Sequence, residues 1–204
     1  MEDKVTKILQ QVSDLYQRYG IKSVSMDDVA RELGISKKTL YEYFTDKTDL
    51  VSKVLEFQML KIRTVFEVEK DDGNNAIDHL LEISQITMEF LKNFSPTIHY
   101  DLQKYYPTVF KSIFDYKRGY MFASAKANLE RGIKEGLYRS DINSDIIAQI
   151  YINQIEASLG SNLNSSYEYT TNELFGDMFT YHLHGIASKK GIEYFEKKIS
   201  HTIK

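Results

Sequence analysis

Apolar residues recur along this chain at the spacing of a helix face. In "DKVTKILQQVSDLYQRYG", Val5, Ile8, Leu9, Val12, Leu15, Tyr16 and Tyr19 fall at i, i+3, i+4, i+7 intervals and share one stripe. Gly20 follows as a left-handed stop. Ser25 then opens S-M-D-D, a capping-box pattern with Asp28 at the third helical position. Val29, Ala30 and Leu33 give this second helix its apolar side, and Gly34 ends it. Ser36 is placed to cap a third short helix. Asp46, with Asp49 three residues on, is placed to cap a fourth, running from Lys47 toward Val68.

The polar stretch "EKDDGNN", residues 69–75, is the strongest break in the pattern and a point where the body could pivot. Helical spacing then resumes through Ile77, Leu80, Leu81, Ser84, Met88, Leu91 and Phe94. Pro96 interrupts it, and a short helix covers residues 97–105. Pro107 suits an early position of a long helix reaching Glu135, with Gly136 as its stop in the loop "EGLYRSDINS". An isoleucine-rich helix spans 143–160, and "SNLNSSYEYT" is a polar loop. Leu174, Phe175, Met178, Phe179, His182, Leu183 and Ile186 form the next stripe, and a last helix covers 191–201. No segment alternates as a strand does. The expectation is an all-α chain of nine or ten helices. A three-helix unit occupies 1–46, and a larger helical body occupies 47–204, joined by the helix at 47–68.

Composition narrows the chemistry. Two prolines in 204 residues favour long helices. There is no cysteine, which removes disulfides, thiolate catalysis and cysteine metal sites and fits a cytoplasmic protein. The N-terminus has no apolar signal core, and no apolar run approaches the roughly 18 residues of a membrane helix. No glycine-rich phosphate loop, no serine-nucleophile turn and no metal-ligand spacing among the five histidines is present. An enzyme, a metal and a cofactor are therefore not expected. The net charge of −3 argues against a nucleic-acid partner for the chain as a whole, so charge placement decides.

That placement centres on "DVARELGISKKTLYEYF", two short helices about a glycine turn. With Leu40 set inward, Phe44 lies about 40° away, whereas Lys38 and Glu42 lie at roughly 160° and 200°. Thr39 and Tyr41 flank this outward face, Lys37 sits at its rim and Tyr43 on the opposite edge. Such a helix fits a major groove. Its lysines suit guanine edges or phosphates, Glu42 a cytosine amino group, and tyrosine hydroxyls the backbone. Lys47 adds a cation at the next helix start. Residues 1–50 hold eight Lys/Arg against nine Asp/Glu, so a solvated hairpin is the alternative. Lys37, Lys38 and Lys47 are expected to cluster, with Asp3, Asp14 and Asp28 away from them.

"SMDDVARELGISKKTLYEYFTDKTDLVSKVL" resembles the DNA-binding domain of TetR-family transcriptional regulators. Ala30, Gly34, Ile35, Ser36, Thr39, Leu40, Tyr41, Tyr43, Phe44, Lys47 and Leu50 carry the likeness. Lys38 departs from it, standing where the family often has glycine, proline or alanine. The resemblance implies a homodimer on palindromic double-stranded DNA and a body that binds a small-molecule effector. It also implies subunit pairing through the helices at about 143–160 and 171–187. A ligand-responsive repressor follows by analogy. The alternative is a DNA-bound structural or partner-binding protein of the same fold without such a switch.

Residues 98–122 are dense in aromatics: His99, Tyr100, Tyr105, Tyr106, Phe110, Phe114, Tyr116, Tyr120 and Phe122. A pocket for a planar or apolar ligand would draw on Phe110 and Phe114, with His99, Tyr100, Asp101, Gln103, Asn128 and Gln154 as further contacts. Ordinary core packing is the alternative for each ring. The stripe from Leu174 to Ile186 is expected at a subunit interface, with His182 packed in it rather than binding metal.

Overall fold

The computed structural model describes residues 2–63, 73–92, 95–160 and 170–202. These form ten helices: α1 (Glu2–Tyr19), α2 (Met26–Glu32), α3 (Lys37–Tyr43), α4 (Lys47–Arg63), α5 (Ala76–Lys92), α6 (Pro96–Tyr105), α7 (Pro107–Lys134), α8 (Ser144–Gly160), α9 (Thr171–Ile186) and α10 (Lys189–Thr202). Among the described residues the β-pairing is one isolated bridge, Tyr138 with Ala187. The predicted caps are in place. Ser25 and Asp28 close a reciprocal capping box on α2. The Ser36 side chain accepts from the Thr39 N–H at the start of α3, and Asp46 accepts from the Asp49 N–H at the start of α4. Gly20, Gly34 and Gly136 adopt positive φ where helices stop. Residues 64–68 of the expected fourth helix, most of the 69–75 break and the loop at 161–169 lie outside the described residues.

The chain divides into two compact units, Met1–Thr64 with Ser95–Lys117, and Val65–Phe94 with Arg118–Lys204. This division differs from the functional boundary expected at residue 46. Leu50, Val51 and Val54 of α4 share one core with α1, α2 and α3, and Leu102 of α6 joins it. The core of the first unit is built on the α1 stripe of Ile8, Leu9, Val12 and Leu15, all buried. Leu40 and Phe44, 0% and 1% exposed, pin α3 to it. Each such buried side chain contributes about 1.5–3 kcal/mol of hydrophobic stabilisation, enough to hold a two-turn helix that would not form alone.

In the second unit α9 packs against α5 and α8 through Phe175, Phe179 and Leu183. A buried polar knot fixes the start of α5. Asn128 of α7 donates to the Ala76 carbonyl at 2.9 Å, and the Tyr138 hydroxyl donates to Asn128 Oδ1 at 3.0 Å. Gly132 leaves room for the Tyr138 ring, and Gly191 lets α10 lie against the Leu137 carbonyl. A Cβ at either position would overlap those atoms.

The expected interface stripe on α9 needs correction. Phe175, Phe179, His182, Leu183 and Ile186 are buried within the protomer itself. His182 stacks on Tyr151 of α8 with ring centroids 4.0 Å apart. A stripe this continuous serves the nearest apolar surface, and α5 and α8 supply it. The outward apolar residues of α8 and α9 are instead Ile146, Ile150 and Tyr181.

Candidate nucleic-acid interface

The anchors of α3 decide what faces outward. With Leu40 and Phe44 buried, Lys37, Lys38, Tyr41 and Glu42 are exposed, and Thr39 and Tyr43 are half-buried on the flanks. Thr39 is held by Ser36, hydroxyl to hydroxyl at 2.8 Å. The Tyr43 ring is tilted by 50° to that of Phe44, with the Lys4 ammonium 5.7 Å from its centroid. The α3 face therefore presents the residues that periodicity assigned to it.

Its electrostatics differ from the expectation in two places. Lys37 is paired with Asp27 of α2 at 2.8 Å, and this bond raises its pKa above the ordinary lysine value. Lys47 is half-buried and donates to the Lys22 carbonyl at 3.2 Å. Burial lowers its pKa, while the carboxylates of Asp101 and Asp28 act in the opposite direction. Asp28 was expected away from the lysines, but it sits close enough to influence Lys47. Its place is set by its capping role at Ser25, which tethers the carboxylate to the start of α2. Lys38 is exposed and makes no ion pair among the described residues, unlike Lys37.

These residues also define a second cluster that periodicity did not reveal. Asp101 of α6 is 6% exposed and accepts from the Lys22 backbone N–H at 2.8 Å. It thus ties α6 to the turn between α1 and α2. Lys22 Nζ donates to the Tyr105 hydroxyl at 2.7 Å. The sequence offers one hint, the acidic residue itself, and there it reads as a ligand contact.

Residues 8–54 match the family model described as "Bacterial regulatory proteins, tetR family". They form a TetR-family N-terminal domain. An HTH-type transcriptional regulator of Staphylococcus aureus strain USA300 is 34% identical over 80 residues, 39% of this chain and 41% of that protein. A counterpart in the bovine strain RF122 is 32% identical over the same length. The chain thus aligns with about two fifths of these relatives. Among solved structures, reduced Escherichia coli NemR superposes with a TM-score of 0.68 at 17% identity, over 89% of this chain and 96% of that one. A putative regulator from Saccharomonospora viridis, in complex with choline, gives 0.66 at 17% identity over 93% and 100%. Over about nine tenths of its length the chain shares the fold of these structures, and the curated relatives are HTH-type transcriptional regulators. Among the described residues no helix is long and apolar enough to cross a membrane.

The residues expected to line an effector pocket are distributed over both units of this TetR fold. His99, Tyr100, Phe110 and Phe114 belong to the first. His99 meets Phe110 edge-on at 5.2 Å, and Phe110 stacks with Phe114 at 5.6 Å. Burial, with Lys117 second, lowers the His99 pKa. Tyr100 is exposed and its hydroxyl accepts from Lys104 at 2.5 Å. Asn128 and Gln154 belong to the second unit. Asn128 is committed to the Ala76 and Tyr138 bonds, which makes it a structural clamp, and Gln154 is half-buried on α8. Clefts on the described surface include the following two. One, of about 580 Å³, is lined by residues including Asn75, Arg131, Glu135, Lys190 and Tyr194. The other, of about 390 Å³, lies between α1 and α2. None of the six expected pocket residues lines either cleft.

Proposed function

We propose that this protein is a cytoplasmic transcriptional regulator that binds a palindromic operator as a homodimer and acts as a ligand-responsive repressor. The observation that carries the reading is the outward face of α3 within a matched TetR-family domain. Lys38, Tyr41 and Glu42 point away from the core, and Lys37 and Thr39 stand at the first turn, where a groove-bound helix touches bases. Lys47 and Tyr43 lie at the margins as backbone contacts. A two-fold dimer would set two such helices about 34 Å apart, in successive major grooves. The outward Ile146, Ile150 and Tyr181 of α8 and α9 supply an apolar surface for the pairing. An effector would act by binding one spacing of the recognition helices better than another. The aromatic group of His99, Phe110 and Phe114 supports an apolar or planar effector.

The second reading is a DNA-bound partner-binding protein without a small-molecule switch. It is favoured by the packing of Phe110 on both His99 and Phe114 and by their absence from the two clefts.

The test is fluorescence anisotropy on the DNA flanking the protein's own gene, across a salt series, with Tyr41→Ala and Lys38→Ala beside the wild type. Tight, salt-sensitive binding to one segment, weakened by both changes, supports the reading. Binding equal to that of random duplex at every salt concentration overturns the reading for that segment. An effector that binds tightly yet leaves operator affinity unchanged favours the second reading.

A further inference from the structure

The cluster joining the α1–α2 turn to α6 is a charged surface that the recognition helix does not use. Lys22 and Lys104 are both exposed. Neither ammonium is within ion-pair distance of a carboxylate among the described residues. Lys37, Lys53, Lys111, Lys126 and Lys198, by contrast, each meet one. Lys22 and Lys104 are held by phenols instead. Lys22 bonds the Tyr105 hydroxyl and lies 4.4 Å from that ring's centroid. Lys104 bonds the Tyr100 hydroxyl and lies 5.0 Å and 5.5 Å from the centroids of Tyr100 and Tyr105. A phenol orients an ammonium without cancelling its charge, as a carboxylate would. Asp101 of α6, beside them, is buried and accepts from the Lys22 backbone N–H. The Lys22 hydrogen bond, with Lys104 beside it, holds the Tyr105 phenol below its usual pKa, as a locally positive field requires.

This patch is continuous with the α3 side of the molecule. Lys47, which opens α4 directly after the α3 turn, donates to the carbonyl of Lys22. On a chain whose net charge is −3, two cations fixed on exposed tyrosines with no carboxylate paired to them among the described residues form a local positive patch. We propose that Lys22 and Lys104, positioned by Tyr105 and Tyr100, form a second contact with duplex DNA, gripping the sugar-phosphate backbone beside the groove that α3 enters. This rests on the DNA-binding reading above. Charge complementarity selects the occupant: a row of phosphates accepts from ammonium and phenol alike, without reading sequence.

The experiment uses the full-length protein and a duplex it selects from a random-sequence pool. Affinity is measured by anisotropy from low to moderate salt for the wild type, Lys22→Gln/Lys104→Gln, Lys111→Gln and Tyr41→Ala. Two lost phosphate contacts should flatten the slope of log K against log salt by about 1.8 in the double variant. Its ranking of single-base variants of the duplex should stay unchanged. Lys111, already paired with Asp115, should leave the slope alone. Tyr41→Ala should weaken binding and alter the ranking. A slope for the double variant equal to the wild type's, with Tyr41→Ala still damaging, overturns the second contact and keeps α3 as the reader. Recovery of no duplex at all overturns both. Since both lysines are exposed, a circular dichroism spectrum unchanged from wild type confirms that the fold is intact.

Discussion

Helix α3 and the pair α8–α9 solve the same packing problem and leave opposite surfaces behind. Each buries its anchors almost completely: Leu40 and Phe44 on α3, Phe175 and Leu183 on α9, Tyr151 and Ile152 on α8. What remains outside on α3 is cationic and polar. On α8 and α9 it includes Ile146 and Tyr181, 58% and 77% exposed, and Ile150 one turn from Ile146. A charged face is content in water, so α3 tolerates being alone. Apolar side chains on two packed helices gain free energy from being covered. The α3 face is therefore distinguished by its charged side chains, and the α8–α9 face by its exposed apolar ones.

The strongest way to break the comparison is to remove an anchor. Phe44→Ala should lower the unfolding free energy by about 3–5 kcal/mol, because α3 is held by the buried Leu40 and by Phe44 at its C-cap. Urea denaturation monitored by circular dichroism checks this. A loss below about 1 kcal/mol would mean that α3 is held by its caps and not by its core.

The α9 anchors carry a titratable member, and pH probes it. Burial pushes the His182 imidazole down to about 4 from an ordinary 6.5. The unfolded chain then binds the proton more readily than the folded one between those values. Stability from this residue is complete above about pH 6.5 and is lost as pH falls toward 4, by about 3 kcal/mol in all. His182→Phe keeps a ring on Tyr151 and removes the titration. Urea midpoints across this range should therefore fall less steeply in His182→Phe than in the wild type. Parallel curves would contradict the buried, neutral histidine. The α3 anchors have no counterpart to this dependence, since neither Leu40 nor Phe44 titrates.

The outward faces come next. Ile150→Asp and Tyr181→Asp should each weaken self-association by about 1–2 kcal/mol and leave the protomer's unfolding midpoint nearly unchanged. Sedimentation equilibrium reads the first and thermal melts at low concentration the second. Equal self-association in wild type and variants would show that these residues are ordinary exposed apolar side chains.

The two regions were not equally legible in the sequence. Everything that positions α3 is local: the Ser36 cap, the Gly34 turn and the Leu40/Phe44 spacing lie within eleven residues. A 3.6-residue period therefore assigned each outward side chain correctly. On α9 the same period found the stripe but not what covers it, because burial against α5 and α8 depends on tertiary packing. Long-range polar contacts were illegible for the same reason. By composition Asn128 and Asp101 read as ligand contacts, yet each bonds a backbone group, 52 and 79 residues away in the chain. The Lys37–Asp27 pair failed to show because it joins two helices whose mutual angle the pattern does not encode.

That pair offers the finest test of the α3 surface. Asp27 sits on α2 and draws the Lys37 ammonium toward itself. Both side chains are more than half exposed, so the pair contributes little to folding. If α3 binds DNA as proposed, its consequence falls on DNA, which would compete with the carboxylate for the same cation and also meet the carboxylate's own charge. Asp27→Asn removes both effects while keeping the side chain's shape. Affinity for duplex DNA should rise by about twofold to fivefold at low salt, and the gain should shrink as salt screens it. Lys37→Gln in the same background should erase the gain, because the released ammonium is what DNA acquires. If Asp27→Asn tightens binding equally with and without Lys37, the aspartate acts as a general repulsive charge and the pair itself has no part in recognition.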